Sequence, residues 1–572
     1  MRYRLKNPEI KENFGENLLR ARGVQDIQEF CHPDESCLQS WRDLENIERA
    51  VKAIELTIND VRPYALIADC DVDGATSSAI IYQYLKRLNP EKEIQYFIHS
   101  GKQHGFSDLM EQLEDKDWSI IIAPDSATND GEYISRFSCP VLCVDHHIKE
   151  ENTIIPSNMI LVNNQTSPNY KNKDLCGAGV TWQLCRALDD FFIKDLAWEY
   201  IDLCALGIVA DMMSMLEVEN QYLVQTGFKN IKNKMFRTLL EKQDYSMGGK
   251  ITPITVAFYI VPLINAMIRV GSMDEKERLY LSFVMPEVMV DCHKRGAKGT
   301  KERLCVESTR ECVNAKSHQD KMKEQMVEKL EAKIFKKDLL SNQVLFIRLE
   351  DDDVFPAELN GLLAMSIASK YKRPTIVARL NNEGYIRGSA RAPGNTELKS
   401  FKNFMASTKL FEYTLGHDQA LGVSILDRNL STFHEIANKE LSKIDFGENY
   451  YDVDFVMRAD DQKIEEAIEE LCAIEQVYGQ QNEEPVMAIT NLNVSQNNVK
   501  IIGKNLDTLR IEKNGITYVK FRAKDLIREL KDFPGDMDIT LVGKPNLNEW
   551  GGKTTPQIFI TDLEIEDSRF AF

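Results

Sequence analysis

Four short apolar runs in this chain each stop at an acidic residue. They are ALIA before Asp69, SIIIAP before Asp125, PVLCV before Asp145 and ALGIVA before Asp211, and the third stop reads Asp145-His146-His147. Short β-branched runs separated by helix-like stretches read as buried strands of a parallel sheet. Ligands of such sheets collect outside the carboxyl ends of the strands. The order therefore gathers carboxylates and imidazoles along one sheet edge. Carboxylates held this close repel one another. Divalent cations remove that cost, so the edge reads as a metal site.

The rest of the chain must supply more than one core, because 572 residues exceed what one core holds and about three or four domains are expected. No run of about 18 apolar residues is read in the sequence, so neither a membrane span nor a membrane partner is expected. The N-terminal stretch MRYRLKNPEIKENFGENLL lacks the apolar centre of a signal peptide, which points to a cytoplasmic protein. The 12 cysteines are scattered without a CxxC pair, so buried free thiols are expected and a structural zinc site is not. A formal net charge of −19 argues against nucleic-acid affinity over the whole surface, but leaves room for a local basic channel.

Along the chain, ENLLRARGV and WRDLENIERAVKAIEL have helical spacing, and strands and helices then alternate from PYALIAD to PVLCVDHH as in a doubly wound sheet. CGAGVTWQLCRALDDFF begins a largely helical stretch, and residues 300–338 read as one long connecting helix. A second α/β unit runs from NQVLFIRLE through GYIRGSARAPGN to LGHDQALGVSIL. From about residue 485, some five strands with turns such as Lys513-Asn514-Gly515 suggest a small Greek-key barrel.

The first acidic stop continues as Asp69-Cys70-Asp71-Val72-Asp73-Gly74. An EF-hand loop opens with the same spacing, but its twelfth position would be Ile80 and not Glu. Alone, the segment also suits a solvated acidic turn, and His146-His147 alone suits two satisfied core histidines. Together, Asp69, Asp71, Asp125, His146 and Asp211 could hold two cations about 3.5–4 Å apart. Mixed carboxylate and imidazole ligation suits Mn²⁺, with Mg²⁺ as the alternative. Such a site activates water and clamps a phosphoryl oxygen, which is phosphoester hydrolysis.

With DCDVDG at 69–74, Asp125, DHH at 145–147, LCGAGVTWQL at 175–184 and GIVADM at 207–212, the chain resembles the DHH phosphoesterase superfamily, and within it the RecJ exonucleases. VPLINAMIRVGS, GSAR at 388–391, LGHDQALG at 415–422 and VYGQQNEEPV extend the resemblance over nearly the whole length. It implies a DHH domain with N-terminal helices over residues 1–225, a helical segment with the long helix over 226–345, a DHH-associated domain over 346–445 and an OB-fold over 446–572. It implies metal ligands at Asp69, Asp71, Asp125, His146 and Asp211, and catalytic or supporting roles for Asp73, Asp145 and His147. Asp73 is expected to cap the helix that follows it. Arg269, Ser389, Arg391 and His417 match residues that grip substrate phosphates, otherwise being ordinary surface polar groups. The implied activity is 5′-to-3′ hydrolysis of single-stranded DNA in repair and recombination, with a single-strand-binding protein or a helicase as candidate partner.

The chain departs from the family at Ser126-Ala127 (usually Asn-Gly), at Leu415 (the first Gly of Gly-Gly-His), at Leu263 (an Arg) and in VFPAELNG, which lacks a His-Pro-Gly pattern. These departures bear on phosphate grip and not on the acids and histidines. In the last unit, residues 500–528 carry eight Lys or Arg against three acids, including Lys504, Arg510, Lys520 and Arg522. With Tyr518, Phe521 and Trp550 nearby, this suits single-stranded nucleic acid. The competing assignment puts these aromatics in the barrel core, and Phe521 fits it better than Trp550. Two other functions remain open on the sequence: a phosphoesterase of the same superfamily for short oligonucleotides or cyclic dinucleotides, and a catalytically inactive replication scaffold. The first needs no OB-like unit; the second would have lost metal ligands.

Overall fold

The computed structural model describes residues 1–6, 10–99, 104–294, 296, 297, 299–350, 353, 355–394, 396–446, 449–532, 535–550 and 552–566. The chain forms two compact units. One comprises Val24–Gln319 with Gln476–Glu483, and the other Met1–Gly23, Asp320–Glu475 and Glu484–Phe572.

The chain opens with strand β1 (Arg2–Leu5), which belongs to the second unit. The first unit is built on a parallel sheet of β2 (Tyr64–Ala68), β3 (Ile94–Ile98), β4 (Ile120–Pro124), β5 (Val141–Asp145) and β6 (Met159–Asn163). Its order is β3-β2-β4-β5-β6. Every residue of β2, β4, β5 and β6 is buried, which is why these strands read as unbroken apolar runs without alternation. One sheet face packs on helices Val72–Leu88, Gly177–Phe192 and Ile201–Ala210, and the other on a smaller cluster around Phe106, Leu113 and Trp118. The doubly wound expectation is met.

One expected strand is not a strand. ALGIVA lies in helix Ile201–Ala210, whose residues 201–209 are all buried. A helix buried on every side shows no polar stripe, so its apolar run cannot be told from a buried strand by periodicity. Residues 253–270 also depart from the expectation that no apolar window of about 18 residues exists. That window has mean hydropathy 1.6 and is, by length and composition, the one candidate membrane span among the described residues. It folds as two helices, Pro253–Tyr259 and Val261–Val270, and Leu263, Ile264, Ala266 and Met267 enter the main core. A short hairpin, β7 (Met289–Asp291) and β8 (Lys301–Arg303), precedes the long helix Leu304–Lys336. All 12 cysteines are free thiols.

The second unit carries a mixed sheet of β9 (Leu345–Leu349), β10 (Thr375–Leu380), β11 (Tyr385–Arg391), β12 (Phe411–His417) and β13 (Ala420–Leu426), in the order β12-β13-β11-β10-β9. Strand β14 (Tyr450–Val453) pairs in parallel with β1. The OB-like region is a seven-stranded sheet of β15 (Phe455–Arg458), β16 (Met487–Val494), β17 (Val499–Ile502), β18 (Thr508–Lys513), β19 (Ile516–Lys520), β20 (Met537–Trp550) and β21 (Lys553–Glu566). Its order is β15-β16-β20-β21-β19-β18-β17, so β15 and β17 are edges among the described residues. The β18–β19 turn has Asn514 at φ 51° and Gly515 at φ 81°, the two left-handed positions a two-residue hairpin turn requires.

Candidate functional site

In the parallel sheet the chain steps outward from β2 to β3 and then returns to lay β4 on the other side of β2. That reversal opens a crevice at the carboxyl ends of β2 and β4. Asp69 follows β2, Asp125 follows β4, and Asp145 closes β5. Ligand atoms of Asp69, Asp71 and Asp125 lie within 4.8 Å of one another, as do those of Asp73, His146 and Asp211, and those of Asp125, Asp145, His146 and His147. Asp211 arrives as the C-cap of helix Ile201–Ala210 rather than from a strand end. There it faces the negative end of the helix dipole, which a cation would offset.

Local chemistry fixes each acid. Asp71 is the N-cap of helix Val72–Leu88 and accepts the Gly74 N–H at 2.9 Å. Asp73 therefore does not cap that helix, contrary to expectation. Its carboxylate, 1% exposed, instead accepts the Gly177 and Ala178 N–H groups at 2.7 and 3.1 Å and caps helix Gly177–Phe192. The close approach depends on glycine: a Cβ on Gly177 would stand 2.4 Å from Asp125 Oδ1, and one on Gly207 2.4 Å from Asp73 Oδ1. Asp125 and Ala127 hold φ values of 60° and 75°. Ala127 thus occupies a left-handed position where a glycine would be unstrained, so backbone strain is stored beside the site.

His146 Nε2 lies 3.2 Å from Asp125 Oδ1, 3.5 Å from Asp211 Oδ2 and 4.0 Å from Asp73 Oδ2. Asp145 is turned inward. Its Oδ1 accepts the His146 and His147 N–H groups at 2.7 and 3.3 Å and pairs with His147 Nδ1 at 2.7 Å, while Oδ2 accepts the Thr128 N–H at 3.0 Å. Asn163 Nδ2 donates to the His147 carbonyl at 2.9 Å. Asp145 thus orients the two histidines.

Burial and mutual repulsion mark the acids. Burial, then Asp73, Asp71 and Asp69, push Asp125 well above the carboxylate range. Burial, then Asp69 and Asp73, raise Asp71 to about 6, and burial, then Asp73 and Asp71, raise Asp211 to about 8. Burial would raise Asp145 too, but its bond to His147 and the imidazole charges hold it well below its ordinary value. The same bond raises His147 to about 9, while burial lowers His146. Asp69 Oδ1 and Asp125 Oδ1 are buried without a hydrogen-bond partner among the described residues. Orphaned buried oxygens, carboxylates that raise one another and an inward imidazole nitrogen form a donor set that fits Mn²⁺ or Mg²⁺.

Two histidines of this neighbourhood escaped the sequence reading. His104 Nδ1 is 2.5 Å from Asp69 Oδ2. His99 is fully buried, with Nδ1 2.7 Å from Asp108 Oδ1 and Nε2 3.7 Å from Asp69 Oδ1. The strand-end rule applied to β3 would have found His99, which follows that strand directly; nothing local marks His104. Arg269, on helix Val261–Val270, is half-buried; burial lowers its pKa and the Asp71 charge opposes this. Leu263 is 6% exposed and belongs to the core.

In the second unit, Ser389 and Arg391 lie two residues apart on β11, and Arg391 and His417 both pair with Ala420 of β13. Arg391 Nη1 donates to the Ala390 carbonyl at 2.7 Å, and a Cβ on Gly361 would stand 2.5 Å from its Nη2. Ser389, Arg391 and His417 thus lie toward one end of neighbouring strands. The basic set of the OB-like region is partly consumed. Arg510 sits 2.8 Å from a Glu512 oxygen, and Lys520 donates to the Thr561 carbonyl at 2.7 Å. Lys504 and Arg522 are exposed, without an acidic partner among the described residues. Tyr518 is fully buried, whereas Phe521 is 60% exposed, which reverses its expected place in the core. Trp550 ends β20, and its side chain lies outside the described residues.

Residues 64–208 match the DHH family, N-terminal domain, and residues 453–562 match the RecJ OB domain. A putative SPbeta prophage-derived single-strand DNA-specific exonuclease of Bacillus subtilis (strain 168), YorK, is 32% identical over 557 residues, covering 96% of this chain and 95% of that protein. The chain belongs to the RecJ-like family of DHH proteins. The single-stranded-DNA-specific exonuclease RecJ of Bacillus subtilis is 23% identical to this RecJ-like chain, covering 96% of it and 68% of that protein. The crystal structure of RecJ from Thermus thermophilus in complex with Mn²⁺ shares the fold of this RecJ-like chain, with a TM-score of 0.72 at 18% identity over 99% of this chain and 80% of that one.

Proposed function

We propose that this RecJ-like chain is a metal-dependent 5′-to-3′ exonuclease that hydrolyses phosphodiester bonds of single-stranded DNA, serving DNA repair or recombination in the cytoplasm. The observation that carries the metal-dependent hydrolysis is the crevice at β2 and β4, where Asp69 Oδ1 and Asp125 Oδ1, buried without a hydrogen-bond partner among the described residues, meet an inward imidazole; the substrate and the 5′ direction follow from the likeness to RecJ. Asp69, Asp71, Asp125, His146 and Asp211 would hold two cations, Mn²⁺ or Mg²⁺. When bound, these would lower the pKa of an attacking water and neutralise charge on the phosphoryl oxygens.

The protein's own groups do the rest. Asp145 fixes His147 through Nδ1 and favours its protonated form, so the half-exposed ring can donate through Nε2–H to an oxygen of the scissile phosphate. Asp73 holds the N-terminus of helix Gly177–Phe192 and thereby keeps Gly177 against Asp125. Arg269, Ser389, Arg391 and His417 bind backbone phosphates, and Lys504, Arg522 and Trp550 belong to the surface that follows the strand, whereas Arg510 and Lys520 are held by Glu512 and the Thr561 carbonyl. A single-strand-binding protein or helicase is the expected protein partner. The OB-like region favours this function over cleavage of dinucleotides, and the complete set of acids favours it over a scaffold. The test replaces Asp125 or Asp211 with Ala. Each variant should lose at least about a thousandfold in Mn²⁺-dependent turnover of single-stranded DNA while retaining its circular dichroism spectrum. Near-wild-type turnover in either variant refutes the assignment.

A further inference from the structure

One face of the second unit's mixed sheet is only half covered. Across it runs the row Val377, Ser389, Gly422 and Leu415, each residue opposite the next on strands β10, β11, β13 and β12. Val377 is fully buried among Leu363, Ala364 and Ile367 of helix Asn360–Tyr371. At the other end Leu415 is 65% exposed. The adjacent residues Leu421 and Val423 face the opposite, core side, which puts Gly422 and its partner Leu415 on the open side. Among the described residues the floor between them is open: a Cβ on Gly422 would meet nothing nearer than backbone oxygens at 3.9 and 4.0 Å.

The walls of this tray differ in chemistry. On one side stand Ser389, Arg391 and the first turn of helix Asn360–Tyr371, where the Asn360 Oδ1 is buried without a partner among the described residues. On the other side stand Leu415 and His417, two strand spacings away, or about 10 Å. The hairpin that carries them is tied down. Lys402 Nζ donates to the Gly416 carbonyl at 2.8 Å, and Gln419 Nε2 donates to the Leu398 carbonyl at 2.6 Å. An exposed leucine on such a held strand needs no folding role, since the core lies on the other face. A wall carrying a hydroxyl and a guanidinium, an open floor and an apolar wall at nucleotide distance match the dimensions of one nucleoside unit.

We propose that Leu415 is a specificity-determining residue that packs against the sugar and base of the nucleotide whose phosphate meets Ser389 and Arg391, so that the tray discriminates a nucleotide from a bare sugar-phosphate. This rests on the exonuclease function only for the phosphate end of the tray. One leucine face against a sugar or base edge is worth about fivefold in affinity.

The test uses the full chain in EDTA, where hydrolysis is stopped, and two 5′-phosphorylated trinucleotides that differ only in an abasic first position. Calorimetric titration should show the wild type binding the intact trinucleotide about fivefold more tightly than the abasic one. Leu415→Gly should bind both alike, and Leu415→Met should restore the preference. With Mn²⁺, Leu415→Gly should raise KM for the intact trinucleotide by a similar factor and leave kcat unchanged. A wild type that binds the two alike, or a preference that survives in Leu415→Gly, overturns the proposal. If the wild type fails to degrade single-stranded DNA with Mn²⁺, the exonuclease function falls, while the two trinucleotides still decide the role of Leu415.

Discussion

Gly177 shows how tightly backbone and carboxylate are fitted at the metal centre. A methyl group there would overlap Asp125, so Gly177→Ala must displace the acid or the helix. The fold should survive, because the helix stays capped by Asp73. Mn²⁺ affinity, measured by electron paramagnetic resonance, should fall about 10- to 100-fold; unchanged affinity would contradict the geometry. The acids also set a pH signature for the metal-free protein. Asp71 and Asp211 are raised to about 6 and about 8, so the folded state binds protons there that the unfolded state has released. Their contributions are complete below about pH 4 and are lost as pH climbs through about 6 for Asp71 and about 8 for Asp211, so only Asp211 of the two acts above pH 6. His147, raised to about 9, acts in the same direction: its contribution is complete below about 6.5 and is lost as pH rises through 9. Asp145, held low, matters only in acid. In EDTA the Tm should therefore drop from pH 6 to pH 9, and Mn²⁺ should restore most of the loss. A Tm that rises over this range without metal would count against the site. Asp69, Asp71, Asp125 and Asp145 were legible in the sequence because each sits at or just beyond the end of a buried strand. His104 was not, because its contact with Asp69 joins residues 35 positions apart with no local pattern.

At the scale of elements, residues beyond 450 cannot simply be removed to test the OB-like region. Phe14 packs edge-on against Phe455 with ring centroids 5.9 Å apart, and the Gly15 N–H donates to Glu470 at 3.2 Å, so the N-terminal helix depends on that segment. Point changes are the better probe. Replacing Lys504 and Arg522 together with Ala should shallow the salt dependence of single-strand binding by about 1.4 in logarithmic slope, about 0.7 for each phosphate contact. Arg510→Ala should leave the slope almost unchanged, since Arg510 is spent on Glu512. Equal effects from both would show that contacts in the free protein do not decide which cations bind DNA. The β18–β19 hairpin was legible because Asn514-Gly515 suits two left-handed positions. ALGIVA was not, because total burial erases the difference between helix and strand. Phe521 was misplaced because alternation in β19 ends at Lys520 and gives no face to the residue after it.

For the whole molecule, a net charge of −19 means that nucleic acid must be captured by local cationic groups against a repelling surface. Activity should accordingly be salt-sensitive. The arrangement of acids at a topological switch point, legible from four strand-like stops of which three are strands, carries the central claim of metal-dependent hydrolysis, and the 5′ direction comes from the resemblance to RecJ. The most direct test digests one single-stranded oligonucleotide, labelled in separate samples at its 5′ or its 3′ end, with full-length protein in Mn²⁺ or EDTA, alongside a blunt duplex. With Mn²⁺, the 5′ label should leave at once as a mononucleotide while the 3′ label passes through a ladder of shortening products. EDTA should stop both, and the duplex should persist. Release of the 3′ label first, or undiminished digestion in EDTA, would contradict the account.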